Sequence, residues 1–133
     1  MKEGAPEGAR GNALAGMRIL VLEDEPIISM DLELELGDAD VGLVCRAETV
    51  GEAVAVIDGG DIDAAVLDYS LMSRKNAEPV ARRLDHDGIP YIFYSGDLDR
   101  HGEAIRRFGR PVVAKPAPAG EVLRVLRGVV GRG

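Results

Sequence analysis

Apolar runs recur along the chain from residue 17 onward, separated by amphipathic stretches. The runs are RILVL (18–22), VGLVC (41–45), AAVLD (64–68), YIFYS (91–95) and VVAK (112–115). Four of them lack the every-second-residue alternation of a half-solvated strand, which predicts strands buried on both faces of a parallel sheet.

The intervening stretches carry helical spacing. TVGEAVAVI (49–57) offers a capping box, Thr49 with Glu52 three residues on, and an apolar face of Val50, Val54 and Ile57. NAEPVARRL (76–84) sets Val80 and Leu84 one turn apart. DLDRHGEAIRRFG (97–109) gathers Ala104, Ile105 and Phe108 and ends on Gly109, which reads as a C-cap. AGEVLRVLRGVVG (119–131) spaces Val122, Leu123, Leu126, Val129 and Val130 along one stripe. MDLELEL (30–36) is ambiguous, because strict alternation says strand. Leu and Glu favour helix and Glu is poor in strands, so a helix is expected.

Five βα units in series predict an α/β fold, an open parallel sheet with helices on both faces. Residues 1–16, MKEGAPEGARGNALAG, carry no apolar periodicity and read as a flexible tail, so the folded unit is expected to span 17–133. The length of 133 residues suits one domain.

Composition narrows the function. A net charge of −7 argues against nonspecific nucleic-acid binding and against an anionic membrane surface, although Arg106, Arg107, Arg110, Arg124, Arg127 and Arg132 gather in the last third. A single cysteine, Cys45, excludes an internal disulfide and a multi-thiolate metal site, and within an apolar run it reads as a structural thiol. No apolar run approaches a membrane span and the N-terminus lacks a signal-peptide core, so a cytoplasmic location is expected.

Ligands of open parallel sheets bind beyond the carboxyl ends of the strands. Glu23 and Asp24 follow the first run, Asp68 closes the third, Ser95 the fourth and Lys115 the fifth. Taken singly, these residues read as caps, turns and surface charges. Together they place carboxylates, a hydroxyl and an ammonium at one sheet edge. Carboxylates without His or Cys suit a hard cation such as Mg²⁺. An Asp beside that cation can attack phosphorus and become an aspartyl phosphate. Mg²⁺ and Lys115 would offset the phosphoryl charge, and Ser95 could donate to a phosphoryl oxygen. Glu25, at the start of a helix before Pro26, is assigned to the helix dipole.

This constellation resembles the receiver domain of bacterial two-component response regulators over residues 17–130. The resemblance implies a flavodoxin-like, doubly wound sheet of five parallel strands in the order 2-1-3-4-5. ILVLEDEP resembles the first strand and acidic pair of the family, implying Glu23 and Asp24 as Mg²⁺ ligands. AVLDYSL resembles the phosphoacceptor strand, implying that Asp68 takes the phosphoryl group and that the Ser70 carbonyl also binds metal. FYSGD supplies the switch hydroxyl as Ser95. VVAKP supplies Lys115 and a Lys–Pro bond that the family holds cis.

The chain also departs from the common pattern. Val112 stands where the family often has a rotating aromatic residue, and SLMSRKN replaces the usual Met-Pro stretch after the acceptor. PYIFYSGD is similar to the Phe-Ala-Thr-Gly motif of a variant subgroup that lacks the aromatic switch. Phosphorylation is therefore expected to act through Ser95 and segment 97–109.

The resemblance implies a stand-alone response regulator rather than an enzyme, with at most slow autodephosphorylation. Its expected partners are a sensor histidine kinase or phosphotransfer protein and a downstream protein target, with no nucleic acid and no membrane. The alternatives are a degenerate, non-phosphorylated interaction module and, further off, an Asp-nucleophile phosphatase. The latter would need a second acid where Ser70 stands. His86 and His101 read as surface residues.

Overall fold

The computed structural model describes residues 13–71 and 75–131. Its elements alternate throughout: β1 (Arg18–Leu22), α1 (Pro26–Asp38), β2 (Leu43–Ala47), α2 (Val50–Asp58), β3 (Ala64–Leu67), α3 (Glu78–Asp87), β4 (Tyr91–Ser95), α4 (Leu98–Arg106), β5 (Val112–Ala114) and α5 (Glu121–Val130). All pairings are parallel and the sheet order is β2-β1-β3-β4-β5, the expected doubly wound arrangement. The second strand lies two residues later than the apolar run that predicted it.

Alternate residues of the strands serve two cores. Leu20, Leu22, Ala65, Leu67, Tyr91 and Phe93 face α2, α3 and Ile105 of α4. Ile19, Val21, Ala64, Val66, Ile92 and Val113 face Leu32 and Leu36 of α1 and Val122, Leu123 and Leu126 of α5. Both faces of β1, β3 and β4 are therefore apolar, which is why their runs do not alternate.

The ambiguous stretch 30–36 is helical, as expected. In α1, Leu32 and Leu36 point inward one turn apart, whereas Ile27, Met30 and Leu34 lie exposed on the other side. Every second residue is apolar because the helix carries two stripes. Its acids have tasks too. Glu33 pairs with Arg46 at 3.0 Å, Arg46 donates to buried Ser29 at 2.8 Å, and Glu35 accepts from the Gly120 amide.

The predicted capping box forms with an altered partner. Thr49 Oγ1 accepts from the Glu52 amide at 3.1 Å, and Glu52 reaches back to the amide of Glu48 at 2.8 Å rather than to that of Thr49. Gly88 closes α3 at φ 71°, a conformation that glycine adopts without a Cβ penalty, whereas α4 ends at Arg106 with Arg107 as its cap, so the expected cap Gly109 lies beyond the helix end, at φ 66°.

Of the expected flexible tail, residues 1–12 lie outside the described residues. Residues 13–16 form a turn, and Leu14 is fully buried in the α1/α5 core. Among the described residues, packed structure thus includes Leu14, ahead of Met17. The apolar anchor was hidden by Gly and Ala on either side of it.

Candidate functional site

The sheet's carboxyl edge collects the predicted residues. Asp68 follows β3, and its amide donates to the Leu22 carbonyl at 2.9 Å, which ties the ends of β1 and β3 together. Glu23 follows β1, held by a bond from its amide to Ala47 O at 3.0 Å. Ser95 ends β4, and Lys115, just past β5, donates its amide to Ser95 O at 3.0 Å. Ladder bonds of adjacent strands therefore fix the site's backbone. The Lys115–Pro116 bond is cis.

Asp68 is buried and engaged on both oxygens. Ser95 Oγ donates to Oδ1 at 3.0 Å, and Lys115 Nζ donates to Oδ2 at 3.1 Å. The same ammonium donates to Glu23 Oε1 at 2.6 Å and lies 3.6 Å from Glu25 Oε1. Glu23, Glu25 and Asp68 offer oxygens that all lie within 4.8 Å of one another.

One lysine thus serves three carboxylates, a formal excess of two negative charges, with Glu23 and Asp68 buried and Glu25 exposed. Desolvation pushes the Glu23 carboxyl up to about 7, and repulsion from Asp68 adds to this, partly offset by the hydrogen bond from Lys115. Lys115 is itself raised: its carboxylate partners outweigh the burial that opposes them. Asp24, the neighbour in sequence, is half-buried.

Glu25 does more than the sequence reading assigned to it. It occupies the N-cap of α1, where the dipole favours an acid, but its side chain makes no capping bond. Its amide donates to Glu23 Oε2 at 3.1 Å, and its carboxylate turns toward Lys115. The turn from Glu23 to Pro26 sets that direction, and strand parity could not reveal it.

A donor group made only of carboxylate oxygens, with no imidazole or thiolate, fits a hard divalent cation such as Mg²⁺. The Ser70 carbonyl lies two residues past Asp68, at the one-residue bridge between Ser70 and Asn76.

Two residues on this side of the acceptor were not singled out by sequence. Tyr69 is buried directly beside Asp68, and His101, read as a surface residue, packs on its ring with centroids 5.3 Å apart. Tyr69 shares the parity of Ala65 and Leu67, and His101 lies three residues after Leu98 and four before Ile105. Those spacings were the available signal. His86 is exposed beside Asp87, as expected, and Cys45 is partly buried against the core.

No protein-family model matches the chain. The transcriptional regulatory protein TcrA of Mycobacterium tuberculosis is 38% identical over 85 residues, covering 62% of this chain and 32% of TcrA. The chain therefore spans about a third of the length of that curated relative. A response regulator receiver protein from Sinorhizobium medicae shares the fold, with a TM-score of 0.76 at 23% identity over 87% of this chain and 95% of that one. SdrG from Sphingomonas melonis is 37% identical, with a TM-score of 0.74 over 89% of this chain and 98% of SdrG. The chain belongs to the response regulator receiver family. A BeF3-activated conformation of SdrG matches this receiver with a TM-score of 0.72 at 38% identity, covering 87% of this chain and 98% of that one. Among its described residues, no helix is long and apolar enough to cross a membrane.

Proposed function

We propose that this receiver is a phosphoacceptor switch that takes a phosphoryl group on Asp68 from a phosphohistidine of a kinase or phosphotransfer protein. The observation that carries the reading is the placement of Asp68: buried at a strand end, bonded by Ser95 on one oxygen and Lys115 on the other, within an acidic group that one ammonium leaves under-neutralised.

In the transfer, a carboxylate oxygen of Asp68 forms a bond to phosphorus as the phosphorus–nitrogen bond breaks. The electron pair stays on the imidazole, which leaves neutral when protonated on its other nitrogen. Lys115 is within reach of Asp68 and offsets charge on the phosphoryl oxygens. Ser95 turns its hydroxyl from Asp68 Oδ1 to a phosphoryl oxygen and so reports the modification. Glu23, Asp24, Asp68 and the Ser70 carbonyl would hold Mg²⁺, with Glu25 close by. When bound, the cation supplies further neutralisation of the transferring group.

The receiver then signals to a downstream protein by an altered surface along segment 97–109, in the cytoplasm. Val112 occupies the position of the family's rotating aromatic, so the response runs through Ser95 and α4.

The test is intact mass after incubation with a small acyl phosphate and Mg²⁺, beside Asp68→Asn and a chelated sample. A gain of one phosphoryl group in the wild type alone is expected. If neither acyl phosphate nor beryllofluoride changes the protein, the phosphoacceptor reading is wrong, and an unphosphorylated interaction module takes its place.

A further inference from the structure

Tyr69 connects four parts of the molecule. Its backbone amide donates to Ser95 Oγ at 3.3 Å, and that hydroxyl in turn donates to Asp68. Its phenol donates to Glu78 at the start of α3, a carboxylate that Arg82 also holds at 3.1 Å. Its ring meets Phe93 of β4 edge-on with centroids 6.1 Å apart, and rests against His101 of α4 at 5.3 Å. Burial and the Glu78 carboxylate push the phenol up to about 12, so it stays a donor at any physiological pH.

We propose that Tyr69 is the aromatic relay of this receiver, a positioning residue that couples the Ser95 hydroxyl to α4 through its tilted ring contact with His101. This rests on the phosphoacceptor reading of Asp68. When Ser95 Oγ turns to a phosphoryl oxygen, the Tyr69 amide loses its acceptor. A buried amide cannot stay unpaired at low cost, so it follows the negative charge toward the phosphoryl group. The stiff side chain carries that movement outward to both its ring contact and its phenol. A cleft of about 410 Å³ lies on this side, lined in part by Tyr69, Ser70, Lys75, Arg100 and His101. Val112, half-buried on β5, has no ring with which to do this. The aromatic element thus lies next to the acceptor rather than on the fifth strand.

The experiment compares wild type, Tyr69→Leu, Tyr69→Phe and His101→Ala by amide NMR, each titrated with beryllofluoride and Mg²⁺. Shifts at Ser95 and Gly96 read occupancy, and shifts across Leu98–Arg106 read the relay. In Tyr69→Leu and His101→Ala, occupancy should stay within about threefold of wild type while the α4 shifts fall below half. Tyr69→Phe keeps the ring and should retain most of the α4 response. A merely structural role would alter stability without separating the two readouts. His101→Ala, at a partly exposed position, keeps the test decisive if Tyr69→Leu does not fold. Full α4 shifts in either ring-contact variant overturn the relay and leave the phosphoacceptor reading standing. A wild type that shows no change at Ser95 and Gly96 overturns both.

Discussion

At the scale of single residues, Lys115 is the electrostatic centre of the resting site. It holds Glu23 at 2.6 Å and Asp68 at 3.1 Å, with its own side chain only 12% exposed. Removing one partner of a buried ion pair costs about 3–5 kcal/mol, because charges are left uncompensated. Lys115→Met should lose about 3 kcal/mol in chelator, at the low end of that range. The raised Glu23 carboxyl can take up a proton and so absorb part of the loss. Added Mg²⁺ should recover stability, about 2.7 kcal/mol at roughly a hundredfold excess over its dissociation constant. Thermal or urea unfolding with and without Mg²⁺ measures both effects. A variant as stable as wild type in chelator would show that the carboxylates do not need this ammonium. Ser95→Ala separates a different pair of properties. It should still gain a phosphoryl group, whereas the spectral change over residues 97–109 should be lost. A full change in that segment would remove Ser95 from the switch.

At the scale of elements, backbone contacts decide more than side-chain pattern does. Gly42 opens β2 against the turn at residues 13–16: a Cβ there would lie 2.6 Å from the carbonyl oxygen of Gly16 and 2.9 Å from its carbon. Both atoms belong to the backbone and cannot swing aside. Gly42→Ala should therefore cost about 1–3 kcal/mol in unfolding experiments, the usual price of overpacking. Thr49→Ala, which removes the N-cap of α2, should cost about 1 kcal/mol. The contrast shows what the sequence disclosed. Thr49 and Glu52 announce their helix because capping is local. Glu23, Asp68, Ser95 and Lys115 were legible because residues at the carboxyl ends of buried parallel strands must share one edge. Leu14 and Gly42 were not legible, since their importance lies in a contact between segments that no periodicity records. The contacts of Glu25 with Lys115 and of His101 with Tyr69 were not legible for the same reason.

At the scale of the whole molecule, one helix faces two ways. α1 buries Leu32 and Leu36 against the sheet and exposes Ile27, Met30 and Leu34, which are 74%, 49% and 65% exposed. These three recur at i, i+3 and i+7, so they form one outer stripe, and α1 begins directly after the acidic turn of the site. A phosphohistidine brought to Asp68 by a protein must approach that edge, and an apolar stripe beside it can hold the donor in place. A small acyl phosphate needs no such hold. Leu34→Gln removes part of the stripe without touching either core, so stability should change by less than about 0.5 kcal/mol. Phosphoryl gain from the acyl phosphate should be unchanged. Transfer from a phosphohistidine carrier protein should slow about tenfold, corresponding to a contact worth roughly 1.4 kcal/mol. Measuring both rates on the same variant makes the outcome specific. Slowing with both donors would mean that the substitution had disturbed Asp68 itself, and slowing with neither would place the donor on another surface. A loss confined to the protein donor follows only if the outer stripe is where that donor docks.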